Sequence, residues 1–338
     1  MPLRYKPLSA LSALRPLRSL PNLSSINLLQ PLRASQRLLT TTANMSESEI
    51  KRNPHPDFKS VEASRPAWDR NAELTFTQTA APDWKYGGGA NGLADPSDVE
   101  TKKHIAIDPH GEGRLPAQNY KLLISSIVPR PIAFVSTIGK DGKTVNLAPY
   151  SYFQVIGHDP PLFVVSFVTS LEAASSAKHT LHNLHETGEC TINIVSEHFI
   201  EAANSTSINA PYGVSEWTIS GLTPGYDTET VKAPRVKEAI FSIEGKLESV
   251  REFESKSRPG KKNVTLAVIE GTRFWVREDA INEERSLIDA NVLRPACRLG
   301  GITYARLVDG YELTRPDFDK DLGIEAYKKL EAEKEGKI

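Results

Sequence analysis

From Leu122 onward the chain breaks into short runs rich in β-branched and aromatic residues, divided mostly by turn residues and without a regular alternation of strand and helix. Parallel sheets need a long crossover after each strand, so this order argues against a doubly wound fold. It favours a small antiparallel barrel with short helical insertions. The first run is Ile132-Ala133-Phe134-Val135-Ser136-Thr137, and residues 144–148 resume the pattern after Lys140-Asp141-Gly142-Lys143. Asp-Gly predicts a tight hairpin there, with both central residues at positive φ. Residues 162–168, 190–195, 239–250 and 263–276 supply further strands, the last two long enough to curl. Residues 178–186 and 197–205 read as short helices, and helical spacing over 321–335 predicts a terminal helix.

A chain of 338 residues with 39% hydrophobic content can bury a substantial core. Its formal net charge of -1 offers no basic excess for a nucleic-acid partner. No apolar run approaches the ~18 residues of a spanning helix, so no membrane span is expected. Cys190 and Cys297 are too isolated for a disulfide framework or zinc knuckle and read as small core residues.

The near-neutral total hides an uneven distribution. The first 46 residues hold Arg4, Lys6, Arg15, Arg18, Arg33 and Arg37 but no Asp or Glu, leaving the rest with 35 basic against 42 acidic residues, a net -7. Residues 1–45 therefore read either as a mitochondrial targeting segment or as a disordered basic tail, the protein being cytoplasmic in the second case. Residues 46–115 are rich in Pro, Asp, Lys and Gly without a sustained apolar period, and are expected to be a disordered or extended linker. The barrel is assigned to 116–316 and the C-terminal helix to 317–338.

Several catalytic motifs are incomplete. Gly142-Lys143-Thr144 lacks the first glycine of a phosphate-binding loop, since Thr137 stands there, and Gly87 to Gly92 neither follows a strand nor opens a helix. His179, His182 and His185 recur every third residue, whereas a metalloprotease helix needs histidines four apart with an intervening glutamate. No G-x-S-x-G elbow occurs, so no metal site and no nucleophilic centre is expected.

Other motifs do line up. Tyr120-Lys121-Leu122-Leu123 precedes Val128-Pro129-Arg130-Pro131-Ile132-Ala133-Phe134-Val135-Ser136-Thr137, followed by Asn146-Leu147-Ala148-Pro149-Tyr150-Ser151-Tyr152-Phe153 and Asp159-Pro160-Pro161. In this order and spacing they resemble the flavin-reductase-like family, flavoredoxin-type proteins included. The likeness continues through Lys178-His179-Thr180 and Asn183 to Arg298-Leu299-Gly300-Gly301 and Tyr304. It implies a mostly β fold, an FMN-binding split β-barrel of Greek-key antiparallel type, binding FMN at a homodimer interface with NAD(P)H as electron donor.

The resemblance also implies a set of flavin contacts. Asn146, Ala148, Pro149 and Ser151 would meet the ring: Pro149 pins a chain whose neighbours offer backbone donors, while Asn146 and Ser151 add polar side chains. Asn146 ending a strand and Ser151 capping a helix are the plainer alternatives. Lys178 and Thr180 would take the phosphate where a helix begins; relatives commonly carry Asp where His179 stands. Ser136, Thr137 and Arg298 complete the cofactor-binding set, with β-propensity and a simple turn as the competing explanations. No residue is singled out as catalytic, because hydride transfer is cofactor chemistry that the protein orients and tunes.

The enzyme implied is an NAD(P)H-dependent flavin reductase or related FMN oxidoreductase that passes electrons to a small-molecule acceptor or partner protein. Two alternatives stay open: a non-catalytic flavin-binding or electron-carrier module, and an oxidase similar to pyridoxamine-phosphate oxidase.

Overall fold

The computed structural model describes residues 55, 57–95, 97–172 and 178–336. These belong to one unit, Glu49–Ile338. The basic segment expected at 1–45 lies outside the described residues.

Seven antiparallel strands make the main sheet: β1 (Ala133–Ile138), β2 (Val145–Tyr150), β3 (Phe153–His158), β4 (Pro161–Phe167), β5 (Glu189–Ile194), β6 (Phe241–Glu254) and β7 (Lys262–Val276). Their spatial order is β2-β1-β5-β6-β7-β4-β3. The two outermost strands, β2 and β3, are thus consecutive in the chain and joined only by Ser151 and Tyr152. A link this short spans roughly 10 Å at ~3.5 Å per residue, so the sheet must roll until its two edges meet. The ring of Tyr150 on β2 accordingly lies 4.8 Å from that of Phe167 on β4. No ladder joins β2 to β3, which leaves the rolled sheet split along that seam.

Curvature is carried by the two long strands. Their pairing shifts register at 262/264, 268/269 and 271/273 of β7, and such bulges bend and twist a strand. Gly245 of β6 lies where an added Cβ would come 2.5 Å from Ile269 Cγ2, so the tight bend leaves no room for a side chain.

Six α-helical segments bear on the account: α1 (Pro116–Ser126), α2 (His179–Thr187), α3 (Ile200–Ser205), α4 (Glu216–Ser220), α5 (Phe318–Asp321) and α6 (Gly323–Glu335). The barrel interior holds Ala133, Val135, Phe163, Val165, Ile192, Ile243 and Ile269, closed by Leu181 and Leu184 of α2. A second core on the other face of β1 gathers Phe134 and Leu147 against Phe199, Ala203 and Trp217. Strand β1 is therefore buried at all six positions. Cys190 and Cys297 are buried free thiols, as expected of core residues.

Two sequence expectations need correction. The hairpin after β1 is not a two-residue turn: six residues, 139–144, link β1 to β2, and of Asp141 and Gly142 only Gly142 has positive φ. Asp141 instead gathers the loop through its carboxylate, accepting from Lys143 N, Thr144 N and Thr144 Oγ1. Helix α1 occupies 116–126, where strand character had been expected to begin at Leu122. Within 46–115, expected to be a disordered or extended linker, lies an arm in which Thr75 and Phe76 pair in parallel with Asp309 and Gly310. Around that pairing, Arg306 donates to Asp69 O and lies 4.3 Å over the Trp68 ring, Arg294 donates to Ala72 O, and Leu74 N donates to Asn291 Oδ1.

Candidate functional site

The outer edge of β2 is the natural place for a ligand, because among the described residues β2 pairs with β1 alone and its 148–151 end is only half-covered. Pro149 stands opposite Phe134 of β1 and has no N–H to give, a residue type that sheets tolerate where the N side faces outward. Two residues earlier, Leu147 N points the same way and donates to Glu216 Oε2 at 3.3 Å. Alternation along the strand then leaves the outward backbone of 145, 147, 149 and 151 along this edge. Ala148, Pro149 and Ser151 are half-buried there, beside the seam where the chain turns into β3.

Behind the edge lies a buried polar network. Asn146, 5% exposed, donates from Nδ2 to Glu216 Oε2 at 2.7 Å and accepts at Oδ1 from Thr180 Oγ1 at 2.6 Å. Asn183 of α2 donates to Thr137 Oγ1 at 3.2 Å and accepts from Tyr212. The Tyr150 phenol is buried with them; burial drives its pKa above the ordinary value, with the Thr180 hydroxyl pulling the other way.

The residues expected to bind a cofactor fall into distinct places. Asn146 and Thr180 are brought together, but their polar atoms serve each other, so they support the edge from within. Thr137 and Asn146 are register partners and share a face, with Thr137 tied in through Asn183. Ser136 points to the opposite face, as the two-residue alternation of a strand requires, and its buried Oγ finds no partner among the described residues. Ser136 and Thr137 therefore cannot both meet one ligand. Lys178 is exposed and forms the N-cap of α2 in extended conformation, without capping the helix through its side chain. A helix start of this kind presents backbone N–H groups to an anion.

Arg298 sits at the far end. Its backbone bridges Arg130, three positions before β1 begins and so beyond the Ala133 end of that strand. Its guanidinium stacks 4.3 Å over Tyr304 and donates to Gly301 O.

Sequence reasoning missed Arg130 and Glu216 as site residues. Arg130 is 7% exposed and donates from Nη1 to the carbonyls of Ile124 and Ile127, closing the C-terminal end of α1. Glu216, 4% exposed, looks like an ordinary first-turn acid in Ser215-Glu216-Trp217; only the fold carries it to Asn146. Among the described residues the three histidines of α2 do not come together in a group that could hold a metal ion. His179 and His182 instead meet the Tyr212 ring edge-on.

Comparison with known proteins gives this geometry a context. A family profile described as the flavin reductase like domain matches residues 125–293. The uncharacterized protein YwrF of Bacillus subtilis is 36% identical over 197 residues, covering 58% of this chain and 93% of its own. Nitrilotriacetate monooxygenase component B from Bacillus cereus superposes with a TM-score of 0.57 at 34% identity, over 63% of this chain and 100% of that one. The 2-nitrobenzoate 2-nitroreductase NbaA of Pseudomonas fluorescens gives 0.53 at 30% identity, over 64% and 98%. A split-barrel protein from Shewanella frigidimarina, at 22% identity and a TM-score of 0.51, covering 64% of this chain and 98% of its own, agrees in fold.

Proposed function

The chain belongs to the flavin reductase like family, and from that premise we propose that it is an FMN-binding oxidoreductase that transfers hydride from NAD(P)H to flavin. The observation that carries the reading is the β2 edge at 148–151, which lacks a strand partner among the described residues and lies on one side of the network that ends at the start of α2. A flat heteroaromatic ring needs an apolar wall and backbone partners along its polar margin; a phosphate needs a cation and free N–H groups. Ala148, on the face it shares with Asn146, supplies the wall, the outward backbone flanking Pro149 supplies partners, and Lys178 with the first turn of α2 supplies the anion site. The flavin, when bound, supplies the hydride-accepting centre. Asn146, Thr180 and Asn183 hold the edge and the helix in fixed relation, the kind of preorganisation that a binding site requires.

Homodimerisation is part of the same proposal. Val155 and Ile156 of edge strand β3 are 55% and 54% exposed, and Leu122 and Leu123 of α1 and Ile127 just after it are exposed as well. Tyr152, in the link before β3, lies near Tyr120 of α1. An unpaired apolar strand edge of this kind calls for a cover, and a second copy offers one.

An absorbance spectrum of the protein purified from cells, with an FMN fluorescence titration, tests the cofactor. Anaerobic mixing with NADH or NADPH then tests turnover, with bleaching of the bound flavin expected. A colourless protein that leaves FMN fluorescence unchanged overturns the proposal. Bound flavin that neither donor bleaches leaves an electron carrier instead.

A further inference from the structure

We infer that Glu216 is a positioning residue that fixes the donor and acceptor sense of the Asn146–Thr180 pair and sets a buried negative charge beside the flavin edge. The inference rests on the FMN reading above. Glu216 enters from α4, and both of its donors, Asn146 Nδ2 and Leu147 N, converge on a single oxygen, Oε2, at 2.7 and 3.3 Å. With Nδ2 so engaged, Asn146 must turn Oδ1 toward Thr180, which donates its hydroxyl hydrogen at 2.6 Å. That hydrogen is thereby committed inward. Toward a ligand Thr180 offers lone pairs only, so anion binding at the start of α2 falls to Lys178 and the backbone.

The second consequence is electrostatic. Leu147 N lies on the same edge as Pro149, where the ring margin is assigned, so a carboxylate bonded to it stands close to the site of charge development. Charges so close and so little exposed to water interact strongly. A fixed negative charge there opposes the gain of negative charge on reduction and holds the midpoint potential low, which favours passing electrons onward.

The test uses the full-length protein loaded with FMN, measuring the midpoint potential by dye-coupled reduction and FMN affinity by fluorescence quenching. Glu216→Gln keeps one carbonyl oxygen for both donors and deletes the charge. It should raise the potential by the equivalent of about a tenfold gain in preference for the reduced flavin, about 30 mV for a two-electron couple. Glu216→Asp retains the charge and should keep the wild-type potential. Glu216→Met, similar in volume and uncharged, replaces the glutamine variant if that one does not fold, with the same rise expected. An unchanged potential in an FMN-loaded uncharged variant, or an equal rise in Glu216→Asp, overturns the inference and leaves the functional reading standing. A wild-type protein that binds no FMN overturns both.

Discussion

Lys178 and the two cysteines show how much depends on where a side chain is placed. If Lys178 takes the cofactor phosphate, Lys178→Ala should weaken FMN binding by roughly 1 to 3 kcal/mol, the worth of a charge-assisted bond, in a fluorescence titration. Unchanged affinity would remove it from the site. Cys190 is fully buried and its thiol is pushed up to about 12, by burial first and then by the neighbouring Glu189 charge; burial also raises Cys297. Since the thiolate is the reacting form, iodoacetamide should label neither in the native protein and both after guanidinium unfolding. Labelling of either in the folded state, read by mass spectrometry, would contradict its burial. Their inertness was legible from their isolation in the sequence. The work of Arg130 was not, although it stands within a recognised motif: its partners are helix carbonyls, and any residue type supplies those.

At the scale of elements, strand β1 and the loop after it carry separate predictions. Phe134 is fully buried between β1 and Phe199, so Phe134→Ala should cost about 3 to 5 kcal/mol in urea denaturation, through lost transfer energy plus the cavity left behind. A loss below about 1 kcal/mol would mean that the second core collapses around the gap. Asp141 is held down to about 2, chiefly by the Thr144 hydroxyl and then by the N–H groups of Thr144 and Lys143. A carboxyl lowered in the folded state stabilises it above the ordinary value of 3.8, and that contribution is lost as pH falls toward 2. The stability gap between wild type and Asp141→Asn should therefore be constant above about pH 5 and shrink in acid; a gap that stays flat through that window would show that the loop bonds are not formed. The long strands β6 and β7 were readable because their β-rich runs are sustained. Strand β3 was not: Gln154, Val155, Ile156 and His158 are all exposed, so no period of two marks one face. Helix α1 escaped notice for a similar reason, burying only Ile124.

For the molecule as a whole, the roll of the sheet was legible only as a resemblance, since it follows from strand order, which local patterns do not encode. Its rolled edges lead to a prediction about assembly: Ile156→Lys should shift the protein from dimer to monomer in light scattering, and a wild-type monomer would refute the proposed cover for β3. The basic, acid-free character of the first 46 residues keeps mitochondrial targeting as a proposal, checked by imaging a fluorescent fusion with and without them. The arm at 68–76 has a consequence in time. Thr75 pairs with Asp309, and Asp69, Ala72 and Leu74 are held by Arg306, Arg294 and Asn291, all contributed by the last 50 residues. On the ribosome those partners emerge only after every strand of the barrel has been made. The arm is thus synthesised before the barrel and finds its place only after it, and the long loop this closes adds little cost because that cost grows only with the logarithm of length.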